Sequence, residues 1–146
     1  MSVGRLSYPM ALLASLLCAA CLSPTGPCDS GRSVIGKWRY AGLTQAPVRT
    51  TLSGTLLITE ESCGEFSGSL AIVELTDQGG TWQRGGPVHG RVIDNGSLRF
   101  DAFLEADPRQ HLASIKGDSL TGTWVLVDPS GTSISGTFGG RKEAAQ

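Results

Sequence analysis

Charge is scarce in this chain, and neither sign dominates. Lysine and arginine number 12 against 13 aspartates and glutamates, which leaves a formal net charge of −1 and no basic run. Such a balance lacks the electrostatic footprint that binding to nucleic acid or to an anionic membrane surface requires, so neither partner is expected on electrostatic grounds. Hydrophobic runs are short as well. The longest, Met10 to Ala20, falls well below the roughly 20 residues that cross a bilayer, so no transmembrane helix is expected. No window combines good helix formers with helical periodicity. His89 and His111 are the only histidines, and neither a His-x-His pair nor a His-Glu-x-x-His run occurs. Both fall on faces expected to be solvated, and no metal site is anticipated. The chain also lacks a Gly-x-Ser-x-Gly elbow or any recognisable pairing of nucleophile and base. Glu60, Glu61 and Glu65 crowd a hairpin turn near Cys63, where exposed charge is ordinary and no glycosidase pair can be argued. Gly85-Gly86 has neither the Lys-Ser/Thr nor the following helix that would cradle phosphate. Enzyme activity therefore has no positive signal, and no cofactor is expected.

What the sequence does contain begins at its start. Arg5 precedes the apolar run, which closes on small residues, and this pattern reads as a secretory signal over residues 1–20. Leu17-Cys18-Ala19-Ala20-Cys21 resembles the lipobox of bacterial lipoproteins, with Cys18 where that family usually has Leu. In the family, small residues precede a cysteine that is diacylated and becomes the first residue of the mature chain. The resemblance implies that Cys21 carries palmitate-type acyl chains and that the lipid alone holds the protein to a membrane. Leu22 stands where many Gram-negative lipoproteins place an inner-membrane aspartate, which implies the outer membrane in a two-membrane organism. The competing readings are ordinary cleavage after Ala19 or Ala20, giving a secreted protein with a free Cys21, and an uncleaved buried helix. A redox or metal pair at Cys18 and Cys21 is disfavoured, because both lie in or beside the apolar run.

Cleavage before Cys21 discards Cys18, the lipid consumes Cys21, and Cys28 and Cys63 remain. An even pair in an oxidising compartment reads as a disulfide. Closing that loop removes unfolded-state entropy worth about 3.5 to 4 kcal/mol in the chain-entropy model. Residues 21–32 are rich in Pro, Gly and Ser and read as a tether. Residues 33–142 form one expected domain, and residues 143–146 a tail.

The domain reads as all-β: short runs of Thr, Ser, Val and Ile separated by turn residues. Six runs share the pattern apolar, variable, glycine, variable, apolar. They are Val34-Ile35-Gly36-Lys37-Trp38, Leu52-Ser53-Gly54-Thr55-Leu56, Phe66-Ser67-Gly68-Ser69-Leu70, Val88-His89-Gly90-Arg91-Val92, Leu120-Thr121-Gly122-Thr123-Trp124 and Ile134-Ser135-Gly136-Thr137-Phe138. With a period of two, the apolar residues and the glycine share the buried face. A glycine repeated at one register suggests relief of crowding where a sheet bends sharply. Two further strands fit at Ser97 to Phe103 and at His111 to Lys116, with Leu98, Phe100, Ala102, Ala113 and Ile115 inward. Asp94-Asn95-Gly96 and Asp128-Pro129-Ser130-Gly131 supply turn chemistry between strands. The expected fold is a small antiparallel up-and-down β-barrel of about eight strands, with a β-sandwich as the alternative.

Gly36-Lys37-Trp38 near the start of the domain, with Gly122-Thr123-Trp124 and Gly136-Thr137-Phe138 near its end, resembles the calycin type of barrel shared by lipocalins and avidins. The likeness spans roughly residues 33 to 141 and implies a first strand whose Gly-x-Trp closes the barrel base. Trp38 and Trp124 face inward by register, as does Tyr40. Core packing is the first expectation for them, and the walls of a ligand cavity the second. Trp82 stands in the glycine-rich stretch Gly79 to Gly86, which no core pattern claims, and is expected to be a contact or lid residue, a plug, or part of an irregular edge strand. The function expected is a non-catalytic binding module, lipid-anchored in the cell envelope, for a small apolar ligand or an envelope partner. The alternative is a structural envelope protein with a filled barrel and no ligand.

Overall fold

The computed structural model describes residues 33–144 apart from Gln45, Asn95, Ala106 and Asp128. The signal, Cys18, Cys21, the tether and Cys28 lie outside the described residues. Eight strands follow one another: β1 (Gly36–Thr44), β2 (Thr50–Ser62), β3 (Glu65–Thr76), β4 (Thr81–Asp94), β5 (Ser97–Leu104), β6 (Asp107–Lys116), β7 (Ser119–Val127) and β8 (Ser133–Lys142). Each pairs antiparallel with the next, and β1 pairs with β8, so the sheet closes into an up-and-down barrel. The sandwich alternative is thereby excluded.

The alternation sets the inside. Leu52 and Leu56 on β2, Phe66 and Leu70 on β3, Val88 on β4, and Leu120 and Trp124 on β7 are all buried. The glycines between the apolar residues allow the bend. A Cβ on Gly54 would overlap the carbonyl oxygen of Ala71, and one on Gly68 would overlap that of Leu57, so at these points the neighbouring strand occupies the space a side chain would need. The two strands without the glycine pattern, β5 and β6, carry small residues inward instead, Ala102 and Ala113.

Of the readings open for the stretch around Trp82, it is strand: only its first two glycines precede β4, and the rest is paired to β3 from Thr81 to Arg91. One local expectation is corrected. The sixth strand starts at Asp107 rather than His111. His111 is then an interior strand position on the same face as Ala113, and it is 1% exposed rather than solvated. His89 is exposed, paired with Asp101 on the outer wall.

The base end, where β1 starts, is closed by the segment leading into the barrel. Val34 is buried, its N–H donates to Glu61 Oε2 at 3.0 Å, and the Trp38 indole N–H donates to the Val34 carbonyl at 3.0 Å. The Lys142 ammonium lies 5.5 Å from the centre of the Trp38 ring. Above this, rings fill the waist. Tyr40 stacks on Phe138 with 5.2 Å between ring centres, Phe100 stacks on His111 at 4.3 Å, and His111 meets Phe138 edge-on at 5.1 Å.

Candidate functional site at the barrel mouth

At the opposite end the inward positions turn polar. On β3 the inward series Leu70, Ile72 ends in Glu74, and on β4 the position paired with Ile72 is Arg84. On β6 the position two before His111 is Arg109, paired with Leu126 of β7. Strand alternation alone therefore brings a glutamate and two arginines into one layer above the aromatic waist. Trp124 pairs with His111 on one side and with Gly136 on the other, and a Cβ at Gly136 would fall 2.7 Å from the indole ring. The missing side chain makes room for the Trp124 ring to lie flat.

Glu74 is shared by both arginines. Arg109 donates from Nη2 to Glu74 Oε1, and Arg84 donates from Nε to Oε2 at 2.9 Å. Arg84 also donates from Nη1 to Asp107 Oδ2 at 3.0 Å, with Glu105 at 3.8 Å. These contacts cross a gap, since the β4–β5 ladder stops at Val88 and the rim half of β4 is paired only to β3. Burial works against the Arg84 cation, but its hydrogen bond and charge contact with Glu74, assisted by Asp107 and Glu105, more than offset this and raise its pKa.

Below Arg109 the polar chain continues into the waist. His111 Nδ1 lies 3.1 Å from the Arg109 carbonyl, which can only accept, so Nδ1 carries the proton and donates. Nε2 is left to accept the Tyr40 hydroxyl at 3.3 Å. Burial pushes the His111 pKa down to about 4 despite that carbonyl, and the Arg109 charge acts in the same direction. Burial also raises the Tyr40 pKa above its ordinary value, the Arg109 charge opposing and the Glu74 charge adding to the shift. Both rings are neutral at pH 7.

Not every donor in this layer finds an acceptor. Arg109 is 4% exposed and Trp124 3%, yet Arg109 Nε, Arg109 Nη1 and Trp124 Nε1 have no hydrogen-bond partner. The Arg109 guanidinium lies 4.7 Å from the centre of the Trp124 ring. Both residues line a cavity of about 240 Å³ at the mouth, together with Glu74, Arg84 and Asp107, and its apolar side is formed by Pro47, Val48, Leu126 and Ile134. At roughly 30 Å³ per molecule this is the space of about eight waters, enough for a compact organic molecule. A second concavity, about 790 Å³, lies on the outer wall between the β2–β3 hairpin and β5. Its lining includes Glu60, Glu65, Arg91, Arg99 and Asp101, a charged surface groove rather than an enclosed apolar site.

The four aromatic residues singled out from sequence separate into different layers. Trp38 belongs to the closed base and Tyr40 to the waist, both 2% exposed, whereas Trp124 lines the mouth. Trp82 pairs with Glu74, sharing its face at the rim, and is 50% exposed, so it does not plug the barrel. Sequence reasoning missed Glu74, Arg84 and Arg109. The signal was present, since each continues an inward register already fixed by apolar neighbours.

Solved structures share this architecture. That of EF1p2_mFAP2b bound to DFHBI superposes with a TM-score of 0.64 at 9% identity, covering 81% of this chain and 100% of that one. The redesigned β-barrel mFAP1, also bound to DFHBI, gives 0.54 at 13% identity over 73% and 94% of the two chains. A de novo designed fluorescence-activating β-barrel gives 0.53 at 13% identity over 75% and 93%. At these identities the likeness is one of fold, the small closed antiparallel barrel. No protein-family model and no curated protein matches the sequence.

Proposed function

We propose that this chain is a non-catalytic binding module that holds a small molecule in the mouth of its barrel, and that the mature protein is tethered to the cell envelope through lipid on Cys21. The observation that carries the reading is the mouth cavity itself, an indentation over a filled aromatic waist with Trp124 in its wall. Closed barrels with a recessed end are places where ligands are held. That barrels of this shape take small ligands is supported by the DFHBI complexes among the fold neighbours. The ligand is smaller than a whole-barrel guest, because Tyr40, Phe100 and His111 occupy the space beneath.

The test is the thermal midpoint of the mature protein against a library of small organic molecules. A ligand that binds only the folded state at 100 times its Kd adds about 2.7 kcal/mol, a shift of several degrees that the mouth variant Trp124→Ala should lose. A library that leaves the midpoint unmoved would favour the second reading, a structural envelope protein, for which the filled waist speaks. The anchor is tested separately by intact mass. Residues 21–146 plus acyl chains are expected, lighter by two hydrogens before reduction when Cys28 and Cys63 are bridged. An unlipidated mass would remove the envelope tether and leave the barrel reading as it stands.

A further inference from the structure

We propose that the mouth cavity takes the carboxylate end of a small organic acid, with Arg109 and Trp124 as its hydrogen-bond donors. The inference rests on the mouth being a ligand site and adds the chemical class of the ligand.

The unpartnered buried atoms of the cavity-lining residues are all of one kind. Arg109 Nε, Arg109 Nη1 and Trp124 Nε1 are N–H donors in buried side chains. Elsewhere the chain does supply acceptors for such groups, since the Trp38 indole, equally buried, donates to the Val34 carbonyl. The mouth differs in that two residues lining a cavity keep buried donors without acceptors, a costly arrangement that an acceptor reaching them after a small shift of the Arg109 or Trp124 side chain would relieve. The carboxylates of the same layer are committed: Glu74 to both arginines and Asp107 to Arg84. A cationic ligand would meet Arg109 and find only the engaged carboxylates Glu74 and Asp107, whereas an acid would find the unpartnered donors of Arg109 and Trp124 beside them.

Charge sets the class more narrowly. Hydrogen bonds from a guanidinium to an ionised acceptor are stronger than those to a neutral one, and they gain further where water is excluded. Arg84 and Arg109 are already matched by Glu74 and Asp107, with the more exposed Glu105 also near Arg84, so one added negative charge is opposed less than the two of a phosphate dianion. The wall of Pro47, Val48, Leu126 and Ile134 offers the rest of the molecule an apolar surface, which a bare inorganic anion would leave unused. A monocarboxylate with a compact hydrocarbon or aromatic body matches both halves of the cavity.

The experiment is a proton–nitrogen NMR titration of the full mature protein in detergent micelles, following the three tryptophan indole N–H signals. Benzoate and hexanoate are the acid probes, benzamide and hexanamide their neutral counterparts, and inorganic phosphate the bare anion. The expected result is that an acid shifts the Trp124 signal downfield, leaves the Trp38 signal in place, and binds at least about tenfold more tightly than its amide. Trp124→Phe, which keeps the ring and loses the N–H, should weaken acid binding several-fold without loss of the folded spectrum. Amides binding as tightly as acids would overturn the acid assignment while leaving the mouth a ligand site. Phosphate binding in preference to both acids would overturn it in favour of an inorganic anion. If neither acid moves Trp124 the assignment fails, and the library measurement above then decides whether the binding reading fails with it.

Discussion

The two ends of this barrel are built from the same alternation and meet opposite requirements. At the base, Val34 enters the core, and both its amide and the Trp38 indole find acceptors within hydrogen-bond distance. At the mouth, inward positions that could have continued Leu and Ile are Glu74, Arg84 and Arg109, and three buried donors lack acceptors. Burying such groups gives little stability, because desolvation of an ion pair consumes much of its mutual attraction. The base satisfies its buried polar groups within the chain, and the mouth leaves three of its own unsatisfied. Stability measurements on the two ends should therefore diverge.

The largest effect is expected at the base. Trp38→Ala removes a buried ring and should cost about 3 to 5 kcal/mol in urea unfolding. Arg109→Met, at the mouth, should lose a comparable amount, roughly 3 kcal/mol or more, because Glu74 would stay buried with one arginine fewer. The comparison sharpens with a second change. Glu74→Gln together with Arg109→Met removes both charges, and its stability should return to within about 1.5 kcal/mol of the parent. No second substitution at the base should rescue Trp38→Ala in this way, and a double mouth variant as unstable as the single would break the contrast.

The waist between the two ends should respond to acid. The folded His111 pKa is depressed to about 4 from an ordinary value of 6.5, so the unfolded chain takes up the proton first. Its contribution is complete above pH 6.5 and is lost as pH falls toward 4, on the order of 3 kcal/mol in all. His111→Phe should flatten that part of the stability profile relative to the parent. A parent profile already flat between pH 6.5 and 4 would contradict the buried neutral ring. The smallest effect belongs to the rim, where Trp82→Ala should stay within about 0.5 kcal/mol of the parent, as exposed positions do. A much larger loss would mean that Trp82 closes the mouth.

Much of the fold could be read from the chain, and for a definite reason. The run Leu120-Thr121-Gly122-Thr123-Trp124 states its face, its burial and its bend in five residues, and five more copies repeat the statement. Six of the eight strands and their antiparallel alternation followed from it, plain alternation supplied β5 and β6, and closure was the expected solution with a sandwich as the alternative. The site was harder to read because its residues break the hydrophobic code at inward positions. Glu74 two residues after Ile72, and Arg109 two before His111, look like surface charge unless the strand is extended to include them. The sixth strand begins at Asp107-Pro108, and a proline at its start reads as a turn signal, which hid both His111 and Arg109. Trp82 was obscured in the same way, since Gly85, Gly86 and Pro87 suggest a loop. In the barrel that segment is laddered to β3 alone, which suits a proline, and a Cβ on Gly86 would overlap the Phe103 carbonyl oxygen of β5.

The most direct measurement is native mass spectrometry of the protein extracted from its own membranes, run beside the Glu74→Gln, Arg109→Met double variant prepared in the same way. The account predicts a small organic molecule retained by the parent, released on denaturation and absent from the variant. A parent that carries nothing while folded, or a variant that retains the same molecule, would contradict a mouth built to receive a ligand.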